Sequence, residues 1–236
     1  MNKTVLVLGG SSGIGLETAY YLNRLGYEVY IASRNRPKNC DLNFVCVDID
    51  NESSVKELFG YFRKNKINIY ALVYSIGITK EKGHIKDFDI EVFNKIISTN
   101  VTGALLSMKY AYDFLKDTQG RVVIINSLAA RTFSQFSGIE YTISKAALSG
   151  LVKQLSQEWI DDKILVNSVY PSMTKTDMLT NTLSKKELKD LGDTLPLQEI
   201  LEPQKVAKAV EFLLNPEMGY ITGSAIDING GLFLNG

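Results

Sequence analysis

Tyr141 and Lys145 stand four residues apart in Tyr141-Thr142-Ile143-Ser144-Lys145, opening a stretch whose apolar residues Leu148, Leu151, Leu155 and Trp159 recur with helical spacing. Side chains at i and i+4 share a helix face, so the phenol and the ammonium can point into one cleft. A phenol titrates near 10 and is a poor base at neutral pH. An ammonium ~4 Å away, at an effective dielectric near 20, favours the phenolate by about 4 kcal/mol, or about three pH units before desolvation is counted. The pair predicts a group that can give and take a proton near pH 7. The same spacing is common on ordinary helices, so alone it decides nothing.

A second feature is the run Gly9-Gly10-Ser11-Ser12-Gly13-Ile14-Gly15, directly after the apolar Val5-Leu6-Val7-Leu8. Glycines let the backbone bend sharply and admit a pyrophosphate where a Cβ would block it. A helix starting there presents free N–H groups and a partial positive charge to the phosphates. The spacing is Gly-x-x-x-Gly-x-Gly rather than Gly-x-Gly-x-x-Gly, but its place between strand and helix predicts a dinucleotide turn. About 20 residues on, an NAD site would carry Asp or Glu for the ribose hydroxyls. Here Ala32-Ser33-Arg34-Asn35-Arg36 has no carboxylate. A guanidinium and a hydroxyl suit a 2′-phosphate instead, so Ser33 and Arg34 predict NADP(H). The competing reading of the segment is a solvated basic loop.

These residues need a scaffold, and the chain alternates short apolar runs with longer helical patterns, as βαβ units do. Strands are predicted at Thr4–Leu8, Glu28–Ala32, Asn43–Val47, Ile69–Tyr74, Arg121–Asn126, Leu165–Tyr170 and Ala225–Ile228, with helices near 13–25, 52–64, 89–117, 140–160 and 203–214. Most of the strands are rich in Val and Ile on both faces, as in a sheet covered on each side. The expectation is an α/β, doubly wound Rossmann-type parallel sheet of about seven strands with helices on both faces. No linker or repeat interrupts 1–236, so one domain is expected. The polar stretch 172–200 is long for a connection and includes a possible capping box, Ser184-x-x-Glu187; it reads as a substrate lid.

Bulk composition excludes some classes. Lys plus Arg equals Asp plus Glu, 26 each, which gives no basic surplus for nucleic acid or an anionic membrane. Two cysteines, Cys40 and Cys46, and one histidine, His84, supply neither a disulfide scaffold nor a metal site. The opening apolar run is too short for a membrane span or a signal-peptide core, so a cytoplasmic protein is expected.

Across essentially its whole length the sequence resembles the short-chain dehydrogenase/reductase family. The matching landmarks, in order, are the Gly9/Gly13/Gly15 turn, Asp48, Leu72–Gly77, Asn100, Ser127, Tyr141/Lys145, Pro171–Thr176, Ile221-Thr222-Gly223 and Gly230-Gly231. The resemblance implies that Ser127 holds the substrate oxygen and Tyr141 is the general acid or base. Lys145 would lower the Tyr141 pKa and bind the nicotinamide ribose, and Asn100 would support a water leading to the lysine. Asp48, with Ile49, would lie by the adenine, unless Asp48 simply caps the following turn. Ser75 and Gly77 would border the cofactor, and Pro171, Thr174 and Thr176 would clamp the carboxamide.

The pattern is broken at Leu8, where Thr is usual, at Tyr74-Ser75-Ile76-Gly77, where Asn-Asn-Ala-Gly is usual, and at Ser172 in place of Gly. Leu8 cannot supply a hydroxyl, and Ile76 is expected to crowd the cofactor ribose or the floor of the site. The implied activity is hydride transfer between NADP(H) and a small-molecule carbonyl or secondary alcohol. Met173, Met178, Leu179, Phe133 and Phe136 are candidate walls or simple core anchors. A homotetramer packed through helices containing 100–117 and 141–160 is expected. Rival readings are a catalytically silent NADP(H)-binding sensor or scaffold, and an isomerase or lyase of the extended group, whose substrate regions are larger.

Overall fold

The computed structural model describes residues 3–181 and 183–234, so position 182 of the expected lid and both extremes of the expected domain lie outside the described residues. The strands are β1 (Thr4–Leu8), β2 (Glu28–Ser33), β3 (Asn43–Cys46), β4 (Ala71–Tyr74), β5 (Arg121–Ile125), β6 (Leu165–Pro171) and β7 (Ala225–Ile228). The helices are α1 (Gly13–Arg24), α2 (Glu52–Lys64), α3 (Ile90–Ile97), α4 (Gly103–Thr118), α5 (Ile139–Glu158), α6 (Asp177–Thr180), α7 (Lys185–Thr194) and α8 (Pro203–Leu214). All strand pairs are parallel, in the order β3-β2-β1-β4-β5-β6-β7. This is the doubly wound arrangement expected from the alternation.

Side chains on a strand alternate between faces. Leu6, Leu8, Leu72 and Tyr74 therefore pack on one face with α2, α4 and α5, through residues such as Phe62, Met108 and Leu148. Val5, Val7, Val29 and Val73 pack on the other with Leu22 of α1 and Val206, Val210 and Leu213 of α8. Each such side chain, fully buried, contributes about 1.5–3 kcal/mol. Leu8 is thus a core residue, locked between Ala32 and Tyr74 in register.

From β1 the chain winds outward to β2 and β3, then returns to place β4 on the other side of β1. A crevice opens beyond the carboxyl ends of the strands at such a reversal. The Ser75 N–H donates to the Leu8 carbonyl (2.8 Å) and the Gly9 N–H to that of Ala32 (2.9 Å), which holds both turns at this crevice.

Two expected elements differ. The helix expected over 89–117 is α3, a π-turn at Ser98–Thr102 and α4. Asn100 is fully buried inside that turn, and its side-chain hydrogen bonds go outside the helix. The 172–200 stretch is not a plain loop: it contains α6 and α7, and the Ser184–Glu187 capping box forms.

Candidate active site

Ser127 follows β5 by two residues and caps a short 3₁₀ turn, its Oγ accepting from the Ala129 N–H (3.1 Å). Asn126 steadies it: its Oδ1 accepts from the Ser127 N–H (3.0 Å), and its Nδ2 donates to Ser149 Oγ (3.2 Å). Tyr170 also donates to Ser149 (2.7 Å), and the Arg131 guanidinium lies over the Tyr170 ring while making a bidentate pair with Asp227 (both 3.3 Å). This support was not read from the sequence.

Tyr141 and Lys145 lie one turn apart in α5, as their spacing predicts. Burial pushes the Tyr141 phenol above its ordinary value, and a hydrogen bond with Ser127 opposes that rise. Burial lowers Lys145 to about 8. Its Nζ donates to the Ile125 carbonyl (3.0 Å) and lies 5.7 Å from the centre of the Tyr141 ring. The expectation has Lys145 lowering the Tyr141 pKa; the net shift found is upward, with burial as its first cause. Burial is the first cause of the shift at both groups.

Asn100 reaches across to the turn after β4. Its Oδ1 accepts from the Ile78 N–H (2.8 Å), and its Nδ2 donates to the Ile78 carbonyl (3.0 Å) and to Ser144 Oγ (2.9 Å). A Cβ on Gly77 would stand 3.3 Å from Lys145 Nζ, which places Gly77 against the lysine head. The turn bearing Asn100 is itself braced. The fully buried Tyr74 hydroxyl donates to the Thr99 carbonyl (2.9 Å). Asp50 accepts from Ser98 Oγ (3.1 Å) and Thr99 Oγ1 (2.8 Å) and pairs with Lys95. Partial burial works the other way, yet these bonds hold the Asp50 carboxyl below its usual range. Neither Tyr74 nor Asp50 was among the expected site residues.

The glycine turn lies beside these groups. Gly9 has φ +81°, and a Cβ there would stand 2.9 Å from both the Ser75 backbone and Ile76 Cγ1. At Gly15 the Gly9 carbonyl leaves no room for a Cβ, and Ser75 Oγ is close by. Ile76 therefore packs on the turn and the core, a place for its bulk that the sequence did not reveal. Gly13 faces Thr176 Cγ2 at 3.3 Å from a built Cβ, so Pro171–Thr176 reaches the same turn. Thr174 is buried and bridges to Leu201.

Ser12 is the N-cap of α1 and makes no side-chain capping bond, as is also true at the starts of α4, α5, α6 and α8, whereas Asn51, Asp89 and Ser184 cap α2, α3 and α7. Ser11, Ser12 and Ile14 thus border a helix start whose N–H groups are not capped by side chains, which fits an anionic phosphate. Ser33 Oγ donates to the Asn35 carbonyl (2.8 Å). Arg36 is occupied with the Cys40 and Leu42 carbonyls, while the exposed Arg34 guanidinium has no hydrogen bond or ion pair among the described residues. The donor set at β2 thus fits a 2′-phosphate better than a diol. Asp48 is exposed and folds onto the Asp50 N–H (3.2 Å), the turn-capping role left open above. The Ile49 side chain belongs to the core.

Among the described residues no group of three or more His, Cys, Asp or Glu is placed to hold a metal, and no helix is long and apolar enough to cross a membrane. His84 caps a 3₁₀ turn through Nδ1, which accepts from the Lys86 N–H (3.2 Å).

A family model described as enoyl-(acyl carrier protein) reductase matches residues 9–233. The chain belongs to the short-chain dehydrogenase/reductase family. It is therefore an oxidoreductase. A tropinone reductase homolog of Arabidopsis thaliana is 34% identical over 99% of this chain and 93% of its own length. The 3-oxoacyl-acyl-carrier-protein reductase FabG of Rickettsia felis is 33% identical over 98% of this chain and 97% of its own. Among solved structures, ElxO with NADP bound superposes with a TM-score of 0.90 at 30% identity, covering 98% of each chain. A short-chain type dehydrogenase/reductase from Mycobacterium ulcerans gives 0.88 at 27% identity, covering 98% of this chain and 90% of that one.

Proposed function

We propose that this dehydrogenase/reductase uses NADP(H) to interconvert a substrate carbonyl and a secondary alcohol, with Tyr141 as the proton-transfer group. The observation that carries the reading is the meeting of Ser127, Tyr141, Lys145 and Asn100 beside Gly77, next to a helix start without a side-chain cap. The NADP named with ElxO and the reductase names of the relatives support it. When bound, the dinucleotide supplies or accepts the hydride at the substrate carbon. Gly9, Ser11, Ser12, Gly13, Ile14 and Gly15 would hold its pyrophosphate, and Ser33 and Arg34 its 2′-phosphate. The turns at Asp48–Ile49 and Ser75–Gly77 and the segment Pro171, Thr174 and Thr176 would line the rest.

Ser127 Oγ orients the substrate oxygen, and Tyr141 Oη gives it a proton in reduction and takes one in oxidation. Burial moves the Tyr141 phenol further above neutral pH, so it carries the proton that a donor in reduction needs. The Lys145 ammonium, 5.7 Å from the ring centre, stabilises the phenolate left behind. Exposed Phe133, Phe136 and Met178, on the segments after Ser127 and Thr176, suit a substrate with an apolar body. The same reading makes 1–236 one domain with 172–200 as its lid. It also makes the protein cytoplasmic, in keeping with its two free thiols, and a homotetramer.

Absorbance-monitored NADPH oxidation over a panel of ketones, with an NADH control, tests this. Turnover should prefer NADPH and fall about 10²–10⁴-fold in Tyr141→Phe. Arg34→Asp should raise the Kd for NADPH about 10- to 100-fold, the loss of charge-assisted bonds. Tight NADPH binding with no turnover across the panel, or turnover indifferent to Tyr141, overturns the proposal.

A further inference from the structure

We propose that Tyr74, acting through the Thr99 carbonyl, is a positioning residue that fixes Asn100 and, through Ile78 and Gly77, the seat of Lys145. The inference rests on the reading of Asn100 and Lys145 as site residues. Tyr74 ends β4 and is fully buried, so its hydroxyl needs a partner inside the protein. That partner is the Thr99 carbonyl, 2.9 Å away. Thr99 lies in the π-turn, where the ordinary i→i−4 ladder is interrupted and a backbone carbonyl benefits from an outside donor. The Thr99 hydroxyl is held by Asp50, which Ser98 and Lys95 also engage. The residue before Asn100 is therefore held at both its carbonyl and its hydroxyl.

Space for the clamp is built in. A Cβ at Gly103 would stand 3.1 Å from the Tyr74 hydroxyl and 2.6 Å from Ile49 Cγ1, so α4 begins on a residue without one. Downstream, both amide donors and the carbonyl oxygen of Asn100 are engaged, with Ile78 and Ser144 as partners. A shift of the π-turn therefore moves Ile78, and with it Gly77, which lies against Lys145 Nζ. Tyr141 is the titratable group facing that ammonium, which forms no ion pair among the described residues. Water let in by a displaced Gly77 would weaken the burial that lowers the lysine. Tyr74 occupies a position where the family pattern has asparagine, so in this chain a phenol reaches across to hold the turn.

The test follows Lys145 by NMR in protein labelled with ¹³Cε-lysine, its resonance assigned by its loss in Lys145→Arg. Titrations cover the wild type, Tyr74→Phe, Asn100→Ala and the double variant, with kcat measured for each. In wild type the midpoint is expected at about 8. Tyr74→Phe should raise it by about 0.5 unit or more and lower kcat roughly five-fold, the scale of a remote coupling. In the double variant both effects should be no larger than in Asn100→Ala alone, because the two residues act in series. An unmoved midpoint in folded Tyr74→Phe, or effects that add in the double variant, overturns the proposal. If Tyr74→Phe does not fold, Thr99→Val removes the Asp50 side of the clamp and must shift the midpoint the same way; no shift is the overturning result. The titration needs no turnover, so an enzyme inert toward every ketone counts against the proposed reaction and leaves this measurement to decide separately.

Discussion

The Lys145 ammonium is buried with the Ile125 carbonyl as its acceptor and no carboxylate in an ion pair among the described residues, so desolvation disfavours its charge. Its pKa falls from 10.5 to about 8. Between those two values the unfolded chain holds a proton that the folded chain has released. Stability therefore rises with pH across that window, and the full penalty is present below about 8. At about 1.4 kcal/mol per unit the penalty is of order 3 kcal/mol before packing is considered. Lys145→Met should thus abolish turnover yet raise stability at pH 7 by about 1–3 kcal/mol in urea denaturation, and flatten the rise between pH 8 and 10.5. A variant less stable than wild type at pH 7 would show that the Ile125 bond outweighs desolvation. The placement of Tyr141 and Lys145 one turn apart was legible because four residues of helix fix their relation. The direction of the Tyr141 shift was not, because burial belongs to the folded environment and not to the pair.

At the level of elements, local spacing carried most of what could be read. Helices α2 and α8 begin and end where the pattern puts them, and the glycine turn sits between β1 and α1 as expected. The π-turn escaped because 89–117 keeps helical apolar spacing on both sides of Asn100, with Ile96, Ala104, Met108 and Ala111 all buried. What holds the break open comes from Tyr74 and Asp50, 25 and 49 residues from Thr99 in sequence. Tyr74 was visible as a departure from the family pattern, but the partner of its hydroxyl was not. Gly103 tests the junction directly. Its missing Cβ would meet Ile49, a stiff β-branched side chain in the core, and the Tyr74 hydroxyl. Gly103→Ala should destabilise by about 1–3 kcal/mol through overpacking, which for a chain of this length lowers Tm by roughly 2–12 °C in a thermal scan. An unchanged Tm would mean that α4 can slide without strain and that the clamp is looser than its hydrogen bonds suggest.

Across the whole molecule, the sheet order follows from alternating strands and helices, whereas assembly depends on what the helices leave uncovered. On the sheet face that carries α4 and α5, Leu105 is 49% exposed, Ile139 46% and Ile143 42%, and the small residues Ala146, Ala147 and Gly150 of α5 are exposed as well. Small residues let two helices approach closely, and exposed large apolar ones give that approach its driving force. The formal charge is zero, so copies of the chain do not repel one another through net charge. If this face closes the expected homotetramer, Leu105→Glu places a carboxylate in a desolvated contact and should split the assembly into smaller species in light scattering. Because α5 carries both Tyr141 and Lys145, the split species should also lose thermal stability and turnover together. A monodisperse wild-type monomer refutes the assembly outright, and a tetramer unaffected by Leu105→Glu moves the interface to another face.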